Sequence, residues 1–245
     1  MPKKVKVAWV LCCILVFIGF VYVTIQSQIR ENKARQEERA AQIKQRQEEK
    51  KEDLKKKFEI MKRVDRLKGH VTNGDYAKAE TLAKEIEQED PNNAELYTWW
   101  GISLVKAERR DEALDKFIKS AQINPNSART YIYWGLTLDM KGKHKEAIDK
   151  YENALLIEPE NSNAYAYWGA SLAKMGEHDK AIAKWEGSLQ FNKFNETAYG
   201  VLVDSLYHKG LYEKAWDVVK RAREAKVEIS KGSLERLSAA LPEPI

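Results

Sequence analysis

A single spacing recurs through most of this chain from residue 60 onward. Gly101, Gly135 and Gly169 stand 34 apart, as do Trp100, Trp134 and Trp168. Ala113, Ala147, Ala181 and Ala215 keep the same interval, and so do Pro91, Pro125 and Pro159. A repeat of this length, with a small residue returning in each helix and a closing proline, dictates helix–turn–helix units stacked on one another. One such unit cannot bury its apolar face alone, so its neighbours complete the core. The period therefore predicts an all-α solenoid with an extended concave surface, a binding device rather than a catalytic pocket.

Aligned on these positions, the units are 60–93, 94–127, 128–161, 162–195 and 196–229. In most units a first helix ends at a turn glycine (Gly74, Gly142, Gly176, Gly210), which suits a helix terminus needing positive φ. A second helix ends near the proline, which cannot continue it. The small residues, Gly in the first helix and Ala in the second, let the two helices approach closely. Leu234, Leu237 and Leu241 fall at helical spacing after the last unit. They predict a capping helix within 230–245, followed by a short tail.

This pattern resembles the tetratricopeptide repeat (TPR) family, whose units carry Trp, Leu-Gly and Tyr, then Ala, an aromatic, Ala and Pro. Gly135, Gly142, Ala147, Tyr151, Ala154 and Pro159 match it in the third unit. The aromatics depart from it. The usual Trp and Tyr positions hold Tyr97 and Leu104, and Trp100 replaces the Leu between them. The same exchange recurs at Tyr131-Trp134-Leu138 and Tyr165-Trp168-Leu172. This reads as a compensated core swap. The outer units are weaker, with Arg66 and His70 in core-like positions of the first and Val203 for the helix glycine in the last.

The resemblance implies a concave groove lined by fixed positions of each first helix. Carried onto this sequence, they give Glu95, Thr98, Trp99 and Ile102 in the second unit. The third supplies Arg129, Ile132, Tyr133, Leu136 and Asp139, and the fourth Asn163, Tyr167, Ala170 and Lys174. Trp99, Tyr133 and Tyr167 form an aromatic ladder at one repeat position, either as anchors for a bound peptide or as packing against the next helix. Chaperone-binding members of the family grip a C-terminal carboxylate with Lys, Asn and Arg, and that clamp is missing here. Protein or peptide segments with apolar anchors are the expected partners.

Val7–Ile25 is an unbroken uncharged run preceded by Lys3, Lys4 and Lys6. At ~1.5 Å per residue it spans ~28 Å, close to a bilayer's hydrocarbon thickness. With no small-residue cleavage site after it, residues 1–27 read as a retained N-terminal transmembrane anchor that contacts the membrane through residues 7–25. Residues 28–59 contain neither Gly nor Pro and are rich in Glu, Lys, Arg, Gln and Ala. They predict a charged helical spacer or a coiled coil. The polar run from Lys44 to Asp53 favours the lone helix. Arg30, Lys33, Arg35, Arg39 and Lys44 favour a cytoplasmic face for the repeats, with a periplasmic face as the alternative. The layout resembles single-pass proteins of the bacterial inner membrane.

Charge and cysteine usage narrow the function. Residues 69–245 hold 24 Lys/Arg against 28 Asp/Glu, so no phosphate-reading surface is expected there and nucleic acid is not an expected partner. The two cysteines, Cys12 and Cys13, both lie in the apolar run, which leaves the repeats without a disulfide framework or thiolate metal site. His144 and His178 share one repeat position and read as turn-packing residues rather than ligands. No nucleophile motif or phosphate loop is present, so neither enzymatic activity nor a cofactor or metal is expected. The expected function is a membrane-anchored scaffold that docks protein partners during assembly or quality control of a membrane or envelope complex. The alternative is a self-assembling protein whose open repeat ends join copies into a coat.

Overall fold

The computed structural model describes the backbone of residues 3–244 and the side chains of residues 16–244. It is all-helical, with eleven helices among the described residues. They are α1 (Lys3–Asn73), α2 (Tyr76–Glu89), α3 (Ala94–Lys106), α4 (Arg110–Ile123), α5 (Ala128–Met140) and α6 (His144–Ile157). There follow α7 (Ser162–Lys174), α8 (His178–Phe191), α9 (Glu196–His208), α10 (Tyr212–Glu224) and α11 (Lys231–Ala240). The chain divides into two compact units, residues 1–59 and residues 60–245.

In the first unit α1 exposes every described side chain from Val16 to Ile25. Farther along it carries ion pairs one helical turn apart, among them Asp53–Lys57 at 2.7 Å and Glu31–Arg35 at 3.8 Å. Among the described residues no helix is long and apolar enough to cross a membrane. This overturns the expected transmembrane helix, and with it the expected single-pass membrane localisation. The described apolar stretch, Val16–Ile25, amounts to ~15 Å of helix, about half a hydrocarbon core, before polar residues begin at Gln26. The rest of the expected span, residues 7–15, lies outside the described side chains.

In the second unit, punctuation recurs at the repeat interval. Asn93, Asn161 and Asn195 cap α3, α7 and α9 by accepting from Leu96 N–H, Ala164 N–H and Ala198 N–H, and Ser127 caps α5 through Thr130 N–H. Each satisfies one of the donors that a helix start leaves open. Within each pair the turn is made by one left-handed residue. It is glycine at Gly74, Gly142, Gly176 and Gly210 but Glu108, at φ 63°, in the second pair. Paired helices pack most closely on each other, and α3, α5, α7 and α9 also touch their next odd-numbered neighbours. Even-numbered helices do not touch one another in this way. That asymmetry sets the odd-numbered helices on the inner side of the solenoid's curve.

A C-terminal helix closes the stack. Leu237 of α11 is fully buried, and Leu234 and Leu241 pack against the same cluster, which contains Trp216 and Val219 of α10. The Trp216 indole N–H donates to the Leu241 carbonyl at 3.0 Å.

Candidate protein-binding groove

The groove depends on how each first helix is seated on its second. A Cβ added at Gly101 would lie 2.6 Å from the Phe117 ring, at Gly135 2.6 Å from Tyr151, and at Gly169 2.5 Å from Trp185. Each aromatic holds the same register after its glycine, on the partner helix. The outer units reach the same filled volume differently. Leu67 faces the Ala83 position in the first, and Val203 the Val219 position in the last, all four buried. Large with small, or medium with medium, is a volume-conserving exchange that keeps a close-packed core. The helix glycine is thus replaced rather than lost in the last unit.

Of the exchanged aromatics, Tyr97 and Trp100 are buried in the core, while Tyr131, Trp134, Tyr165 and Trp168 are half-buried. Tyr97 stacks near Trp100 with ring centroids 6.4 Å apart, and Tyr131 near Trp134 at 6.2 Å. A lysine from the second helix covers each tryptophan: Lys116 on Trp100 at 3.5 Å, Lys150 on Trp134 at 4.2 Å and Lys184 on Trp168 at 3.3 Å. Burial lowers the Lys184 ammonium below its ordinary pKa. The aliphatic stems shield the rings while the ammonium sits over the π face.

The structure separates the thirteen groove residues into three sets. Glu95, Arg129, Asn163 and Lys174 are exposed, and Trp99, Tyr133, Leu136, Tyr167 and Ala170 are half-buried. Thr98, Ile102, Ile132 and Asp139 are buried and present almost no surface. Thr98 is withdrawn into a hydroxyl network with Ser120 and Thr130, each at 2.8 Å, which joins the second pair to the third. Asp139 accepts from Lys174 at 3.0 Å and lies 2.5 Å from His144 Nδ1. His144 is therefore a turn residue held by a carboxylate, whereas His178 is exposed at the surface. Among the described residues no cluster of His, Cys, Asp and Glu could hold a metal ion.

Two cavities of about 330 Å³ adjoin along this face. One is lined by Glu95, Thr98, Trp99, Asn126, Ser127, Arg129 and Glu158, and the other by Trp99, Arg129, Ile132, Tyr133, Glu158, Asn161, Asn163 and Tyr167. Trp99, Arg129 and Glu158 are shared by both, and the second cavity brings the ladder residues Trp99, Tyr133 and Tyr167 together. Leu136, Ala170 and Lys174 lie beyond it. Arg129 holds its guanidinium 5.3 Å from the Trp99 ring, and Lys68 approaches the same ring at 6.0 Å. Burial opposes the Lys68 ammonium, but hydrogen bonds to Asp65 and Glu95 outweigh it and hold its pKa above the ordinary value. Burial also raises the Tyr167 phenol, with a further contribution from Tyr133.

Two residues of this surface escape sequence reasoning, for different reasons. Lys68 stands one repeat interval before Ile102, so extending the groove register one unit back finds it. Glu158 is the C-cap of α6, in a loop, where the helix register gives no signal.

No protein-family model matches this chain, and no curated protein matches it. Solved structures do. A structure of MamA is 27% identical and covers 64% of this chain and 92% of its own, with a TM-score of 0.58. PilF of Pseudomonas aeruginosa is 18% identical over 77% of this chain and 86% of its own, with a TM-score of 0.70. MamA from Desulfovibrio magneticus RS-1 is 17% identical over 68% and 94%, with a TM-score of 0.59. An all-helical solenoid of tetratricopeptide type is what this chain shares with these neighbours.

Proposed function

We propose that this protein is a non-enzymatic scaffold whose inner face binds a segment of a partner protein, extended or helical, through apolar anchors. Its role on this reading is to dock partners during assembly or quality control of a protein complex. One observation carries the reading: Trp99, Tyr133 and Tyr167 stand half-exposed at one repeat position and together line one cavity, which Trp99 shares with a second. Rigid aromatic side chains with a polar edge give large contact area at low entropic cost, which is why they dominate binding energetics. The neighbouring cavities are the right size for side chains of a bound segment, and the cation pair over Trp99 fixes that plate in place. The resemblance to tetratricopeptide proteins supports the same reading.

Replacing Trp99, Tyr133 and Tyr167 together by Ala is expected to remove co-purifying partners from the full-length protein while its helical circular dichroism is kept. A folded triple variant with unchanged partner composition would defeat the groove reading. Self-assembly end to end is the competing reading. Against it stands α11, which covers the Trp216–Val219 end of the stack.

A further inference from the structure

Three charged side chains line the two cavities, and they are not equivalent. Glu95 is neutralised by Lys68 at 2.7 Å. Arg129 and Glu158 have no ionic partner among the described residues. Arg129 rests only on the Trp99 ring, and the Glu158 carboxylate accepts a hydrogen bond from the neutral Asn161 amide at 2.6 Å. Both line the cavity that carries the ladder, and both line its neighbour. A purely apolar segment laid here would strip water from two opposite charges and return nothing to either, a costly arrangement. A segment with complementary charges replaces that water with charge-assisted hydrogen bonds. The guanidinium already sits beside an indole, 5.3 Å from the ring centre, so less further ordering is needed to engage a carboxylate.

Building on the groove reading, we propose that the bound protein segment is bipolar. It places an acidic side chain on Arg129 and a basic one by Glu158, with an apolar anchor on the tyrosines of the ladder. This recognises internal side chains and does not require a chain terminus.

The test uses the purified full-length protein and a displayed library of short random peptides whose C-termini are not free. The wild-type protein is expected to enrich peptides that combine an aromatic or leucine with Asp or Glu at one fixed position and Lys or Arg at another. R129E is expected to lose the acidic column and E158K the basic one. A C-terminally amidated peptide of the wild-type consensus should bind each variant roughly tenfold more weakly, the scale of a charge-assisted hydrogen bond. Both residues are at the surface, and circular dichroism will confirm that the variants are folded. Enrichment of apolar anchors without charged columns, or columns unchanged in the variants, would overturn the bipolar segment and leave the groove standing. No enrichment at all, or the same peptides from the W99A/Y133A/Y167A protein, would overturn both.

Discussion

Replacing Gly169 by Ala should destabilise the repeats, against the rule that alanine is the better helix former. The added Cβ falls 2.5 Å from Trp185 Nε1, 2.7 Å from Cδ1 and 2.9 Å from Cε2. The indole has little room to retreat, being 2% exposed and tied by its N–H to the Ala166 carbonyl at 3.0 Å. Forcing a methyl into such a core costs ~1–3 kcal/mol. The helix-propensity gain from Gly to Ala returns ~1 kcal/mol, so a net loss of up to ~2 kcal/mol is expected. Gly200 supplies the internal control, because it lies within α9 and its Cβ would meet nothing within 4 Å. G200A should gain ~0.5–1 kcal/mol. Urea and thermal unfolding followed by circular dichroism measure both, at ~2–4 °C of Tm per kcal/mol for a domain of this size. The last unit also suggests a rescue. G169V/W185V copies the Val203–Val219 arrangement and should be more stable than the two single changes added together, by ~1–3 kcal/mol of coupling. If G169A gains as much as G200A, or the double variant is merely additive, the volume-exchange argument is wrong.

Three further perturbations follow from local structure. Glu108 holds a left-handed φ of 63° where other units have glycine, so E108G should raise stability by ~1 kcal/mol in the same unfolding assay, and a loss would show that the side chain compensates the strain. Hydrogen bonds from Arg109 and then Lys84 lower Glu80 to a pKa of about 2. Its contribution is thus complete above the ordinary value of 4.5 and is lost as pH falls through about 2. E80Q should lower stability at neutral pH and flatten the acid limb of the stability–pH curve, and parallel curves would exclude that linkage. L237A removes a fully buried anchor of α11 and should cost ~2–4 kcal/mol, with proteolysis opening first at the C-terminal end; a silent variant would mean that α11 does not hold the last pair.

The all-helical stack was legible because its determinants recur. A glycine returning at the repeat interval and a closing proline each act within one unit. What misled was any position judged one residue at a time. Val203 reads as a defect until it is paired with Val219 on the next helix, where the lost glycine is matched by a lost aromatic. Thr98, Ile102 and Ile132 occupy groove register, yet they are buried because adjacent first helices touch across units and Thr98 bonds to Thr130. That contact depends on the solenoid's curvature, which no single repeat encodes. Glu158 enters the site from a loop brought alongside by stacking, and it too has no local signature. The transmembrane expectation rested on hydropathy over residues 7–25, and among the described residues no helix meets the length and apolarity that crossing requires.

The most direct measurement is site-specific photocrosslinking in living cells, with a benzophenone amino acid placed at Leu136 in the groove or at Leu156 on α6. Leu136 is half-buried in α5, three residues after Tyr133 on the same helix, while Leu156 is 80% exposed on α6. The account expects discrete protein adducts from position 136, absent from position 156 and lost when Trp99, Tyr133 and Tyr167 are replaced by Ala. Adducts from position 156 alone, or adducts at 136 that survive loss of the ladder, would contradict it.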